Sequence, residues 1–432
     1  MTLALLLSAA LGAAAAAPLP ASAPGTLTLE EALARARSHP RSAQALAVAA
    51  QAEARAREVF GSFLPDVNAT ASYSRATSNF APSPGTQSGG GFRVALPETD
   101  ATSPYYAAAL SVQAPLWDFG RTLGQVRSAR ASEAAARSDL AAARQDVELQ
   151  VRTSWFAALA AQALVQVADD TIGQMQKHLD FAQASLEVGR RTRFDVTRAQ
   201  VDLTNARITK LQADNGVASA RAALEAAVGE PLGPVRLVAP EDPGGPDPRP
   251  ADEVERALRQ RPELRALDLR VGAAEQSLAA ARSAWFPVLS ASGQYGWRGA
   301  DFPLVHNWQV GAALSWNLFN GFSDAAAVDE QRGAVEQARA ARELEALQVR
   351  SEVEQAALAV GEARARRDAA GVLVTQAQEN LELAEGRYQA GVGSIVDLAD
   401  AEAALTSARS QQVRAGYDLA TARAKLVRAV GE

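Results

Sequence analysis

Cysteine is absent from all 432 residues, which removes disulfides, thiolate metal sites and a cysteine nucleophile together. An N-terminal lipid anchor of the bacterial lipoprotein kind goes with them, because it needs a cysteine. Histidine is nearly as scarce. His39, His178 and His306 lie far apart in sequence, so a zinc centre or a catalytic triad has little to build on. No Gly-x4-Gly-Lys-Ser/Thr, His-Glu-x-x-His or Gly-x-Ser-x-Gly occurs. Positive charge is not in excess either. The 43 Lys and Arg are outnumbered by 49 Asp and Glu, and a net charge of −6 gives a nucleic-acid partner no electrostatic support. Past the leader no uncharged apolar run reaches the ~18 residues of a membrane-spanning helix. These absences predict a protein that is not an enzyme and holds no cofactor and no metal.

What is present begins with a leader. Positions 1–29 carry no charged side chain, and Leu3–Leu7 with the alanines through Ala17 make a short apolar core. Residues 1–23 are expected to be a secretory signal, with small-x-small cleavage candidates at Ala14–Ala16 and Ala21–Ala23 and no Lys or Arg near Met1. Thr28-Leu-Glu-Glu31 is a capping box that opens a helix, and His39-Pro40 forces a restart. The period then changes from helical to two. Val67, Ala69, Ala71 and Tyr73 alternate with polar residues, and after a Gly/Ser/Pro-rich loop so do Tyr106, Ala108, Leu110, Val112, Ala114 and Leu116. Two strands, at about 64–75 and 104–117, are predicted, each long enough to cross a bilayer when tilted.

A proline-free stretch of Ala, Arg, Gln, Glu and Leu follows at about 120–188. A helix of that length would reach about 100 Å, which points to a coiled coil or a helical barrel. Gly189 turns it and a return helix runs to Val228. Seven prolines within 231–250 forbid helix and mark a linker.

The order then repeats over 251–432 as it ran over 27–230. Strands are predicted at about 286–298 and 306–318, and a long helix at about 320–390. Gly189 and Asp195 return at one constant offset as Gly391 and Asp397, and Val228-Gly229-Glu230 as Val430-Gly431-Glu432. The second inter-strand loop is the shorter, as expected of duplicated units that diverge at loop tips. The fold class is therefore mainly α with a small β part, in two tandem repeats.

Four amphipathic strands leave two unpaired edges, and an open sheet cannot stand in hydrocarbon. The chain must close a barrel with other copies of itself or keep its strands in water. Aromatics at the strand ends (Tyr73, Tyr105, Tyr106, Trp117, Trp297, Trp308, Trp316) fit the interfacial girdles of a barrel. The rival is a structural periplasmic coiled-coil protein with a soluble β cap.

The chain resembles the TolC-type outer-membrane efflux proteins over nearly everything after residue 26. The resemblance rests on Leu27-Thr-Leu-Glu-Glu-Ala-Leu, on the Leu116-Trp-Asp118 and Leu318-Phe-Asn320 strand ends, on the two glycine tips, and above all on Tyr388-Gln-Ala-Gly391-Val-Gly-Ser-Ile-Val-Asp397-Leu-Ala-Asp400. It implies a homotrimer in outer-membrane lipid, whose three sets of four strands make one twelve-stranded transmembrane β-barrel. The helices would form a periplasmic barrel, opened at its tips by a periplasmic adaptor protein and an inner-membrane transporter. By the same resemblance Asp397, Asp400, Asp195 and Tyr388 fall at the periplasmic constriction, and Gly189, Arg190, Gly391 and Val392 at the adaptor contact. Asp397 and Asp400, spaced i and i+3, share a helix face, and copies around an axis would favour cations. Capping boxes at Ser394–Asp397 and Thr192–Asp195 account equally for the first acid of each tip. The family's gate arginine corresponds to Gly393, so Arg191 or Arg193 would have to replace it.

Overall fold

The structure, a computed structural model, describes residues 25–77, 102–240 and 249–432. The expected signal, the Gly/Ser/Pro-rich loop and residues 241–248 of the linker lie outside the described residues.

A two-residue strand β1 (Thr26–Leu27) leads to α1 (Leu29–Arg35), where Thr28 and Glu31 close a reciprocal capping box. Helix α2 (Pro40–Gly61) begins on a proline, whose missing amide is no loss in a first turn. Strands β2 (Asp66–Thr77) and β3 (Thr102–Trp117) precede α3 (Arg121–Glu187) and α4 (Arg193–Val228). After β4 (Arg236–Leu237), paired parallel to β1, the series runs again. It comprises α5 (Pro250–Gln260), α6 (Pro262–Arg282), β5 (Val288–Gly299), β6 (Val305–Ser315), α7 (Ser323–Gln389) and α8 (Ile395–Val430). Helices α3 and α7 have 67 residues each and α4 and α8 have 36 each, so the duplication extends to helix length.

The chain divides into two compact units. One comprises Leu46–Asp139 and Glu263–Ala346 and holds the sheet, an antiparallel order β2-β3-β5-β6. Its register places apolar residues opposite apolar ones across all four strands. Val67 faces Val112, Val112 faces Gly293 and Gly293 faces Val310; Tyr73 faces Tyr106, and Tyr295 faces Trp308. One face is thus apolar apart from His306 opposite Trp297 and Arg75 at its rim, and in the single chain it is open: Trp308 is 72% exposed and Val310 76%. The opposite face carries Asn68, Ser111, Ser292 and Gln309. Among the described residues the outer edges of β2 and β6 pair with nothing. Strand β6 stops at Ser315, short of the expected 318, because its last partner is Val288 and Pro287 before it has no amide to extend the ladder.

Strand gives way to helix through matched turns. The Asp118 carboxylate accepts the Thr122 amide at 2.7 Å, and the Asn320 side-chain oxygen accepts the Asp324 amide at 3.4 Å. Within the same unit α3 and α6 cross closely. A Cβ at Gly124 would lie 2.9 Å from Ala280 Cβ, and the Ser128 and Ser277 hydroxyls share a hydrogen bond of 2.8 Å.

The other unit comprises residues up to Ala45, Leu140–Pro262 and Leu347–Glu432. Its core gathers Val147, Val151, Trp155 and Leu159 of α3 with Leu224 and Val228 of α4 and Leu27 of β1. Each of these side chains contributes roughly 1.5–3 kcal/mol by leaving water. Towards the turns the packing becomes a coiled-coil seam. Met175, Leu179 and Ala182 meet Ala199, Leu203 and Ala206, while Ala377, Leu381 and Tyr388 meet Leu398, Ala401, Leu405 and Ala408. Those spacings of three and four are what keep one stripe on a partner helix.

At the far ends α4 and α8 each finish on a left-handed glycine, Gly229 (φ 89°) and Gly431 (φ 95°). Each abuts the start of another helix. A Cβ at Gly229 would lie 3.0 Å from the His39 ring, and one at Gly431 3.0 Å from the Arg261 Cα. Only glycine satisfies both the backbone angle and the space.

Candidate functional site at the helical tips

Both tips use a helix stop, a left-handed glycine and a capped restart. At the first, the Gly189 amide donates to the Leu186 carbonyl and the Arg190 amide to the Ser185 carbonyl, with Gly189 at φ 73°. Thr192 then caps α4, and the Asp195 carboxylate accepts both the Thr192 amide and its hydroxyl at 2.9 Å. Asp195 is buried. At the second, the Val392 and Gly393 amides both donate to the Arg387 carbonyl, with Gly391 at φ 79°. Ser394 caps α8, and the Asp397 carboxylate accepts the Ser394 amide at 3.4 Å.

The two tips meet at Tyr388. Its side chain is 1% exposed, packed beside Phe181 of α3 with ring centroids 5.8 Å apart. The Arg191 guanidinium lies over its ring, 3.9 Å from the centroid, and donates to the Tyr388 carbonyl. A desolvated cation over an aromatic face is worth about 2 kcal/mol. Burial pushes the Tyr388 hydroxyl pKa up and Asp195 adds to this, with Arg191 pulling the other way. The phenol therefore stays neutral and cannot act as an anion here.

Of the residues named from the sequence, Asp195 and Tyr388 are brought together, with Arg191 between the tips. Arg193 is exposed and makes no side-chain hydrogen bond or ion pair among the described residues. Asp397 and Asp400 are exposed on the first turns of α8, and Asp400 has no ion-pair partner among the described residues. Gly189, Arg190, Gly391 and Val392 are exposed at the turns themselves. The glycine at 393 has a steric reason. A Cβ there would lie 2.8 Å from the Tyr388 amide nitrogen and 2.9 Å from the Arg387 carbonyl carbon, so any side chain would have to push the backbone aside.

Sequence reasoning passed over one constellation. His178 on α3 has Nε2 2.5 Å from Glu402 Oε1 on α8 and 3.7 Å from Glu385 Oε1 on α7. Burial disfavours the charged imidazole, but the hydrogen bond and charge of Glu402, with Glu385, outweigh burial and Lys177 and raise its pKa above the ordinary 6.5. Its three members come from three helices, and no spacing along the chain announces them.

Comparison with known proteins follows the same architecture. The family model described as "Outer membrane efflux protein" matches residues 29–230 and 254–432. The probable efflux pump outer membrane protein TtgC of Pseudomonas putida is 26% identical over 382 residues, covering 85% of this chain and 75% of that protein. The outer membrane efflux protein BepC of Brucella suis is 30% identical over 169 residues, covering 39% of this chain and 34% of that protein. Among solved structures, the outer-membrane channel OprN superposes with a TM-score of 0.80 at 22% identity, covering 93% of this chain and 89% of that one. The open state of the Neisseria gonorrhoeae MtrE channel gives 0.75 at 20% identity, covering 93% and 88%. These two likenesses are of fold.

Proposed function

The chain belongs to the outer membrane efflux protein family, and from that premise we propose that it is the passive exit duct of a multi-part pump, built from three copies. Membership carries an outer-membrane location and an efflux role without catalysis, and it sets aside the reading as a periplasmic protein with a soluble β cap.

The observation that carries the proposal is the open sheet. Four strands present an apolar face, which suits hydrocarbon and not water, and among the described residues two unpaired edges, which hydrocarbon tolerates only if the sheet closes into a barrel. Three copies would supply twelve strands, which is within the range of bacterial barrels, whereas one copy supplies half of the smallest. Exposed apolar residues at heptad spacing on α4 (Phe194, Val201 and Ile208) supply a seam for a neighbouring copy.

The tips are read as the inner mouth. Asp397 and Asp400 of three copies would ring the axis with carboxylates and select cations. Asp195, Tyr388 and Arg191 would hold the two tips of each copy together, with Arg191 standing in for the side chain that Gly393 lacks. Gly189, Arg190, Gly391 and Val392 would receive a periplasmic adaptor, which with an inner-membrane transporter would open the mouth.

Planar-bilayer recording on the purified, detergent-resistant oligomer tests this. The native protein is expected to conduct with cation preference and to be blocked by divalent cations. Asp397→Ala with Asp400→Ala should lose both properties and keep its conductance. Unchanged selectivity and block would remove these aspartates from the constriction, and a water-soluble monomer would end the channel reading altogether.

A further inference from the structure

The His178 constellation lies just behind the second tip, joining α3 to both arms of the α7–α8 hairpin. Its short Nε2–Oε1 approach is that of a direct ion pair once the imidazole is protonated, with no room for a metal ion between. Two donors bound to one zinc ion, each about 2.0–2.2 Å from it, stand further apart than the 2.5 Å between His178 Nε2 and Glu402 Oε1. The Glu402 side chain is 4% exposed, so leaving that carboxylate buried without its partner is costly. Glu385 is more open, and His178 and Glu385 line a polar cavity with Gln174, Lys177, Tyr388 and Gln389 through which protons can exchange.

We propose that His178, Glu402 and Glu385 form a pH-sensitive clasp that holds the α7–α8 hairpin against α3 in acid and loosens it as the pH rises. The charged groups acting on His178 are Lys177 on its own helix, Glu385 on α7 and Glu402 on α8; Tyr388, on α7 in the same cavity, is neutral. The sign follows from the folded state binding the proton more tightly than the unfolded chain. The contribution is complete below the ordinary histidine value and disappears as the pH climbs through the raised one. Above that, Glu402 remains buried without its cation, and the first turns of α8, which carry Asp397 and Asp400, lose their anchor. The consequence for gating, a mouth shut more firmly in acid, rests on the channel reading above; the clasp itself does not.

Hydrogen–deuterium exchange on the full-length protein in detergent separates the two. Corrected for the intrinsic pH dependence of exchange, amides in 395–405 of the native protein should exchange about tenfold faster at alkaline than at mildly acid pH. In His178→Gln the corrected rates should not change with pH. Glu402→Gln, which removes the buried charge, should be equally flat and serves if the first variant does not fold. No acceleration in the native protein, or the same acceleration in the variants, overturns the clasp. Single-channel recording supplies the second readout, more frequent openings at alkaline pH in the native protein alone. A clasp seen by exchange without that effect would overturn the link to gating and leave the clasp standing.

Discussion

At the first tip the acid that closes the capping box, Asp195, is buried and takes two hydrogen bonds of 2.9 Å from Thr192. At the second its counterpart Asp397 is exposed and takes one of 3.4 Å from Ser394, with Asp400 open one turn further on. Cations divide the other way: Arg190, Arg191 and Arg193 crowd the first tip, and Gly393 leaves the second without one at that position. Duplication supplied two hairpins with the same turn pattern, drawn tighter at the second, where the Gly393 amide lies 2.9 Å from the Arg387 carbonyl against 3.3 Å for Arg191 to Ser185. Divergence made the first an internal fastener, through Arg191 on Tyr388, and left the second with exposed carboxylates. A repeat can thus keep its geometry and still assign its charges to different work.

The comparison can be broken at three levels. The seams behind the tips are equivalent in packing, with Leu203 4% and Leu405 1% exposed, so Leu203→Ala and Leu405→Ala should each cost about 2–5 kcal/mol. Hydrogen exchange of each hairpin measures this, and a difference beyond a factor of two would mean that the hairpins differ in packing as well as in charge.

The turns should separate next. Gly393→Ala has to displace backbone at 2.8 Å and should cost about 1–3 kcal/mol. Gly189→Ala meets nothing within 4 Å and suffers only from φ 73°, about 1–2 kcal/mol. Comparable protection of the two turns in these variants would show that the second tip relaxes easily.

The smallest effect should come from the cations. Arg191→Ala loses the stacked contact and its bond to the Tyr388 carbonyl, about 1–2 kcal/mol, whereas Arg193→Ala should stay within about 0.5 kcal/mol. Exchange at Tyr388–Gly393 distinguishes them, and equal effects would remove Arg191 as the fastener between the tips.

Much of the fold was legible because its elements follow strict periods. Period two from Val67 to Tyr73 and a long run of helix formers without proline each permit one structure. The duplication was visible at Gly189/Gly391 and Asp195/Asp397 because a left-handed turn and a capping box tolerate few residue types. What stayed hidden depends on distance in space. Arg191 and Arg193 are the same residue type on either side of Thr192, and the approach of Tyr388 to the first is what separates them. His178, Glu385 and Glu402 sit on three helices at intervals that carry no pattern, so their union belongs to tertiary structure alone. The glycine at 393 could be read as a missing arginine, but its cause, the backbone of Arg387 and Tyr388 pressing on it, could not.

The open edges of β2 and β6 also bear on inheritance. On the proposed ring of three, each copy closes its barrel with the edges of its two neighbours, so no copy can be sound by itself. An allele whose β6 edge cannot pair would spoil every ring it enters. Expressed equally with the normal allele and mixing freely, it would leave only about one ring in eight intact. Such a mutation would behave as dominant, while one that prevents synthesis of the chain would be recessive.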